Sequence, residues 1–217
     1  IGKLTLILII INVALFAMMV FSGVDISHPA IRDALHWGAD YAPLTYLAEP
    51  YRLFTSMFFH FGIIHLMMNM WALFVFGNIV EQTFGRFFYL GLYLLAGLMG
   101  NLFSGFLDIQ NSFSLLQQHQ PDLMPRVSAG ASGAIMGLGG ALTALSFLRP
   151  VAYLDRKSLV IIMIINISFG LFTPGINNMA HMGGLIMGAI LAICWHFAQR
   201  FKSGWGSSAA VLLLGIG

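Results

Sequence analysis

Residues 130–148 of the chain read GASGAIMGLGGALTALSFL, a run without a charged side chain. Small residues alternate with large apolar ones, and the run is close to the roughly 20 residues that a helix needs to cross a bilayer. The whole chain has the same character, since 59% of its residues are hydrophobic and only 8% are charged. A soluble domain carries about 25% charged residues. The deficit indicates that lipid surrounds most of the protein.

Apolar segments of similar length recur along the chain and predict six transmembrane helices. The predicted spans are Leu4–Phe21, Phe61–Val80, Phe87–Leu107, Ala131–Leu148, Ser158–Phe172 and Asn178–Phe197. A further apolar run, Ala209–Gly217, is too short to cross and is either a truncated seventh span or a surface helix. The predicted fold is therefore an all-α, polytopic membrane helix bundle. Residues 1–200 are expected to form its transmembrane domain, and residues 201–217 a tail or the start of a seventh span.

The distribution of Lys and Arg predicts the orientation of the bundle. Seven of the ten basic residues fall in the termini and in the loops after even-numbered spans, and the other three fall in the loops after odd-numbered spans. This asymmetry places the N-terminus in the cytoplasm. Short loops favour a bacterial plasma membrane. The net charge of +2 argues against a nucleic-acid partner, and the single cysteine, Cys194, excludes an internal disulfide and a multi-cysteine metal site.

Polar side chains within the spans fall in three groups, and such residues usually mark function because lipid offers them no partner. The groups are His60 with His65 and Asn69, then Gly130-Ala131-Ser132-Gly133, then Asn177-Asn178 with Ala180-His181. They stand at the starts of the second, fourth and sixth spans. Even-numbered spans all begin at the outer surface, so we expect the three groups at similar shallow depths.

The sixth span carries a seam of small residues that predicts a close approach to the fourth. His181, Gly184 and Gly188 fall on one helical face, and a small-xxx-small pattern lets two helix backbones pack closely. The fourth span is also rich in Gly and Ala. Glycines alone would indicate packing without chemistry. With Ser132 and His181 at matched depth, the seam predicts that the serine hydroxyl meets the histidine ring.

A serine hydroxyl becomes a nucleophile when a base takes its proton, and histidine suits that task with an ordinary pKa near 6.5. No Asp or Glu lies near His181 in the sequence, which favours a Ser-His dyad over a triad. His65 and Asn69 are four residues apart, hence on one helical face, and both can donate hydrogen bonds to a developing oxyanion. His60 lies well round the helix from His65, so we assign it a structural role.

These motifs, in this order and in these spans, resemble those of the rhomboid intramembrane serine proteases. The resemblance covers about Tyr51–Ala192. It implies that Ser132 is the nucleophile and His181 the general base of an endopeptidase. It implies an oxyanion and substrate site made of His65, Asn69, Ala131 and Ser132. Supporting residues would be His60, Gly130, Gly133, Met136, Asn178, Gly184 and Gly188.

The resemblance also implies the partners and the moving parts. The substrates would be single-span membrane proteins cut near the outer membrane surface, in contact with lipid and without a metal or cofactor. The fifth span and the loop Thr173–Asn177 would act as gate and cap. Glu81 and Arg86 would form a polar cluster at the cytoplasmic end, and Tyr51-Arg52 would match an aromatic-Arg pair in the first outer loop.

One position departs from the family pattern. An aromatic ring commonly follows the serine by one helical turn and stacks on the catalytic imidazole, but this chain has Met136 there. A thioether can still contact a ring, so the departure bears on how firmly His181 is held. The chain keeps both dyad residues, which favours an active enzyme over an inactive relative.

Two hypotheses from other classes compete with proteolysis. A transporter or proton-coupled channel would use the buried histidines as a relay, and would need polar residues through the full membrane depth. A catalytically weak or inactive membrane scaffold would bind spanning helices without cutting them. The clustering of polar residues in the outer half counts against the first, and the Ser132–His181 pair counts against the second.

Overall fold

A computed structural model of the protein describes residues 1–118, 125–173, 175–201 and 211–214. The helices are α1 Lys3–Phe21, α2 Ile31–His36, α3 Ala42–Leu47, α4 Arg52–Thr55, α5 Ile63–Phe84, α6 Arg86–Gln118, α7 Ser132–Leu148, α8 Arg156–Phe172 and α9 Asn178–Arg200. A 3₁₀ turn at Ser56–Phe58 follows α4. Within the described ranges, the pairing of Asp40 with Ser128 is the one contact of β type.

Each of the six predicted spans corresponds to one long helix, which confirms a polytopic helical bundle. Among the described residues, four helices are long and apolar enough to cross a membrane, namely Lys3–Phe21, Ile63–Phe84, Arg86–Ser114 and Asn178–Arg200. The helices α7 and α8 have 17 residues each, or about 26 Å at 1.5 Å per residue. The predicted tail, 201–217, lies mostly outside the described residues.

The third predicted span ends too early in the sequence analysis. We predicted a span over Phe87–Leu107 followed by a polar outer loop, but α6 continues to Gln118. No Gly or Pro interrupts residues 108–118, so nothing in the backbone ends the helix. The side chains of Ile109 and Phe113 are exposed and extend its apolar face. Falling hydropathy marked the end of the apolar segment, whereas the helix itself persists.

The closest packing in the bundle joins α7 to α9 through glycine, as the seam predicts. A Cβ atom on Gly188 would overlap the carbonyl oxygen of Gly137, and one on Gly184 would overlap the carbonyl oxygen of Gly133. Backbone therefore lies directly on backbone over two helical turns. Most of α7 is buried, so it forms the centre of the bundle.

Glu81, at the end of α5, closes the end of the bundle opposite His65. Its carboxylate accepts hydrogen bonds from the backbone N–H of Leu4 at 2.9 Å, from the backbone N–H of Thr5 at 3.0 Å and from the Thr5 hydroxyl at 2.9 Å. A carboxylate at a helix N-terminus satisfies free N–H groups and complements the helix dipole. These bonds attach α1 to α5. The charge of Arg86 also acts on Glu81, in line with a polar cluster that includes both residues.

The loop between α1 and α5 folds into short helices, and Arg52 holds them together. Its guanidinium is buried and donates to the carbonyls of Leu35 at 2.8 Å and Ala39 at 2.9 Å. It also pairs with Glu49 at 2.5 Å. A buried cation needs such partners to offset its lost hydration. The arginine thereby fixes the chain just before Asp40.

Asp40 connects this loop to the segment before Ser132. Its backbone N–H donates to the carbonyl of Ser128 at 2.8 Å, and the Ser128 N–H donates back at 2.9 Å. The Asp40 carboxyl is buried and accepts from the Thr45 hydroxyl at 2.7 Å. The charged groups near it are Arg52 and Asp108.

We predict that Gly188→Ala destabilises the bundle. The new methyl group would strike the Gly137 carbonyl, and overpacking of this kind costs about 1–3 kcal/mol, more than the roughly 1 kcal/mol that Ala gains in helix propensity. The measurement is thermal unfolding in detergent. Gly133→Ala is the matched control, because its Cβ would meet Ala180 at 3.5 Å, an ordinary contact. Equal unfolding temperatures for both variants would contradict the seam.

We also predict that Asp40 makes stability depend on pH. Burial raises the pKa of Asp40 to about 6 from an ordinary 3.8; the nearby Asp108 charge also raises this pKa, while Thr45 and Arg52 lower it. The folded state thus favours the protonated carboxyl. Its stabilisation is complete below about pH 4 and is lost as pH rises through about 6.

The test compares Asp40→Asn with the unchanged protein from pH 4 to pH 7. Asparagine does not ionise, so the unfolding temperature of the variant relative to the unchanged protein should rise across this interval. The gain corresponds to at most about 3 kcal/mol. Asp33→Asn, on α2, is the control. A difference between Asp40→Asn and the unchanged protein that stays constant with pH would show that Asp40 does not titrate in this range.

Candidate active site

Ser132 and His181 lie in hydrogen-bonding contact. Ser132 is the first residue of α7 and His181 lies in the first turn of α9. The Nε2 atom of His181 is 2.6 Å from the Oγ atom of Ser132. His181 is 1% exposed and Ser132 is 6% exposed. A ring nitrogen at this distance can accept the hydroxyl proton.

The glycine seam explains why these two side chains meet. Ser132 immediately precedes Gly133, and His181 precedes Gly184 by nearly one turn. Because Gly184 lies on the Gly133 carbonyl, the first turns of the two helices are held at the same level. The predicted meeting of hydroxyl and imidazole therefore follows from backbone packing.

His181 has a sparse environment. Within the described residues, Ser132 is the hydrogen-bonding partner of its ring, and its Nδ1 atom has none. Among the described residues, no carboxylate bonds to the ring and no aromatic ring stacks on it. Met136 occupies the position one turn after Ser132 and is fully buried. Packing thus has to orient the imidazole.

His65 is oriented by a backbone hydrogen bond. The N–H of Phe61 donates to its Nδ1 atom at 3.0 Å, so the remaining proton of the neutral ring sits on Nε2. That Nε2 atom is buried and has no acceptor within the described protein. Gly130 lies beside it with a φ of 129°, and a Cβ there would lie 2.9 Å from Nε2. The same atom would be 3.6 Å from Ser132 Oγ, so the His65 donor and the serine hydroxyl border one space.

Asn69 lies one turn further along α5. It is 1% exposed, and neither polar atom of its side chain has a partner within the described protein. Buried polar atoms are rarely left unpaired, which makes Asn69 a second candidate donor. The first turn of α7 adds free backbone N–H groups, including that of Ser132.

His60 and Ala131 contact each other through a hydrogen bond that the sequence did not predict. The Ala131 N–H points to His60 Nε2 at 3.5 Å, and the rings of His60 and His65 pack edge to face with centroids 5.0 Å apart. His60 therefore supports the loop and the neighbouring ring, in line with a structural role. Since the Ala131 N–H already has this acceptor, the Ser132 N–H is the better backbone donor for an oxyanion.

Asn178, expected as a supporting residue, lies one turn before His181 on α9, and its amide N–H donates to the Ile167 carbonyl on α8 at 3.3 Å. Asn177 caps α9, accepting from the N–H groups of Met179 and Ala180 at 3.1 Å each. The sequence analysis missed this cap, although an asparagine just before a helix is a usual signal. It also missed Ser128, which has no such signal.

A cavity of about 630 Å³ reaches His65 from the side. It lies between the first outer loop, the start of α5 and the end of α8. Its walls include the rings of Phe61, Phe169 and Phe172. Within the residues that the structure describes, no group of His, Cys, Asp or Glu could hold a metal ion. The cavity is mostly apolar and meets the site at His65, whereas Ser132 and His181 are not among the described residues that line it.

Comparison with known proteins identifies the family. The family model of the Rhomboid domain matches residues 47–197. RHOMBOID-like protein 6, mitochondrial, of Arabidopsis thaliana is 37% identical over 162 residues, which are 72% of this chain and 47% of that protein. Rhomboid protease GluP of Bacillus subtilis is 35% identical over 186 residues, 83% of this chain and 33% of its own length.

Rhomboid protease AarA of Providencia stuartii is 28% identical over 205 residues, 88% of this chain and 72% of that protein. The chain spans half or less of the first two relatives, whereas it covers most of AarA. The family match includes α5 to α9 almost entirely, and with it all the residues gathered around Ser132. The chain belongs to the rhomboid family.

Proposed function

We propose that the protein is an intramembrane serine endopeptidase in which Ser132 is the nucleophile and His181 the general base. The observation that carries the proposal is the 2.6 Å contact between Ser132 Oγ and His181 Nε2. Two of the similar proteins are named rhomboid proteases, which supports the same activity here. Other similar proteins are named only rhomboid-like, so activity is a matter for experiment.

The reaction would proceed in two steps. Ser132 Oγ attacks the carbonyl carbon of the scissile peptide bond while its proton passes to His181 Nε2. The histidine then gives this proton to the leaving amine, and an ester remains on Ser132. Water attacks the ester, again losing a proton to His181, and the serine hydroxyl is restored as the acid product leaves.

The oxyanion of both steps would be bound by His65, Asn69 and the Ser132 backbone N–H. His65 suits this role because its Nδ1 already accepts from Phe61, which leaves Nε2–H as a donor beside the serine. Gly130 supports the arrangement, since a side chain there would fill the space next to His65. The charge would develop at the positive end of the α7 dipole.

The substrates would be single-span membrane proteins that approach through the apolar cleft between α5 and α8. Its aromatic walls suit an apolar segment arriving from lipid, and the site that it meets at His65 suits an unwound peptide. We further propose that the cleft opens to the outer side of a bacterial plasma membrane, because the basic residues concentrate at the opposite ends of the helices. Residues 1–200 would form the protease domain.

The competing transporter hypothesis receives little support from the buried polar residues. Asn12 and Asn166 lie in α1 and α8, and each donates its amide N–H to a carbonyl of its own helix, at 2.8 Å and 2.9 Å. Such local bonds do not form a relay between helices. The polar side chains that do face each other across helices surround Ser132 or, separately, join Thr5 to Glu81 at the far end of α5.

We predict that Ser132→Ala and His181→Ala each lower the cleavage rate of a single-span reporter in proteoliposomes by more than about 10³-fold, because the pair acts as a unit. Labelling of the purified protein by a serine-directed fluorophosphonate should disappear with the same two changes. Ser112→Ala and His196→Ala are matched controls, and both should cleave normally. Cleavage at the unchanged rate by either dyad variant would rule out this mechanism.

We predict a different pattern for the oxyanion donors. His65→Gln and Asn69→Ala should each lower kcat by about 10²–10³-fold, with a much smaller change in KM, because their bonds strengthen as charge develops. Steady-state kinetics with the reporter in detergent provide both constants. A rise in KM at constant kcat would instead assign these residues to ground-state substrate binding.

A further inference from the structure

The side chain of Asn177 bonds to three separate parts of the protein. Its oxygen accepts from the backbone of Met179 and Ala180 at the start of α9. Its amide N–H groups donate to the hydroxyl of Ser104 on α6 and to the hydroxyl of Ser128, the latter at 3.4 Å. A cap of α9 alone needs only an acceptor oxygen. Capping therefore does not account for the two hydrogen bonds that the amide N–H groups donate to serines.

Ser128 lies four residues before Ser132 in an extended segment that is bonded on several sides. The side chain is buried, and its backbone pairs with Asp40. The next two residues, Ala129 and Gly130, donate their N–H groups to the carbonyls of Gly175 at 3.1 Å and Ser56 at 2.8 Å. The segment leading to the serine is thus held by neighbouring loops, and the Ser128 hydroxyl is its link to Asn177.

From this arrangement we infer that Asn177 is a positioning residue for the proposed reaction, acting through Ser128. The amide joins the segment that carries Ser132 to the first turn of the helix that carries His181. It thereby fixes the position of the Ser132 hydroxyl relative to the His181 ring, at the N-terminal ends of α7 and α9. The inference rests on the proposed protease function and adds a residue whose side-chain hydrogen bonds, among the described residues, go to neither Ser132 nor His181.

The expected consequence is a loss of rate rather than of binding. A displacement of about 1 Å between reacting groups can cost about 10²-fold in rate. The glycine seam holds α7 against α9 below the dyad, whereas the Asn177–Ser128 bond acts above it, on the loop side. Loss of that bond leaves the helices packed but lets the serine shift relative to the imidazole.

The experiment compares two serines that accept from the same amide. Ser128→Ala removes the acceptor on the Ser132 segment, and Ser104→Ala removes the acceptor on α6. We expect Ser128→Ala to lower kcat and the rate of fluorophosphonate labelling together by about 10-fold or more, with KM changed less than about twofold. Ser128→Thr, which keeps the hydroxyl, should restore both rates. Ser104→Ala should keep kcat within about threefold.

A second variant tests the other partner of the bond. Asn177→Ser keeps an oxygen that caps α9 but is too short to reach Ser128. Asn177→Ser should lower kcat as Ser128→Ala does. The double variant, Asn177→Ser with Ser128→Ala, should be no slower than either single variant, because both changes remove the same hydrogen bond. If Ser128→Ala does not fold, this variant and Ser128→Thr still decide the matter.

Three outcomes would overturn the inference. They are unchanged kcat and labelling in Ser128→Ala, equal losses in Ser128→Ala and Ser104→Ala, or additive losses in the double variant. None of them affects the proposed function, which Ser132→Ala tests separately on the same reporter. A loss in Ser128→Ala would count for positioning only if Ser132→Ala is inactive.

Discussion

The direct contact between the backbones of α7 and α9 is the constraint on which the site depends. Glycines remove the side chains that would keep the helices apart, and the Gly137 and Gly133 carbonyls then lie against Gly188 and Gly184. Neither helix brings an ion pair to this contact among the described residues. Shape alone sets the register, and the register sets the level at which a serine and a histidine face each other.

The loop between α1 and α5 determines a feature that helix packing does not, namely the path of the chain into α7. Packing fixes the axes of α7 and α9 but not the path of the chain into α7, and that path decides where the Ser132 hydroxyl lies. The path is set by the pairing of Asp40 with Ser128 and, behind it, by the bonds of Arg52. A loop of short helices thus acts on the site from outside the bundle, through the backbone pairing of Asp40 with Ser128 and the side chain of Arg52.

The sequence predicted the helices and the contact between Ser132 and His181, because both follow from regular spacing. Span count, alternation of sides and a small-xxx-small seam suffice to place Ser132 near His181. The continuation of α6 to Gln118 was missed, because hydropathy falls where the helix does not end. The Asp40–Ser128 pairing was also missed, since bonds between the backbones of distant loops leave no period in the sequence. The Asn177 cap had a local signal, but its bond to Ser128 had none.

Among the described residues, no carboxylate bonds to His181, so the proposed reaction depends more on the groups that stabilise the oxyanion. In a triad, the acid orients the base and stabilises the imidazolium. In this site the Nδ1 atom of His181 has no partner within the described protein, and Met136 stands where a stacking ring is common in relatives. Stabilisation must then come mainly from donors to the oxyanion. In the proposed reaction, the Phe61 N–H would contribute by fixing the proton of His65 on Nε2, where it can be donated to the oxyanion.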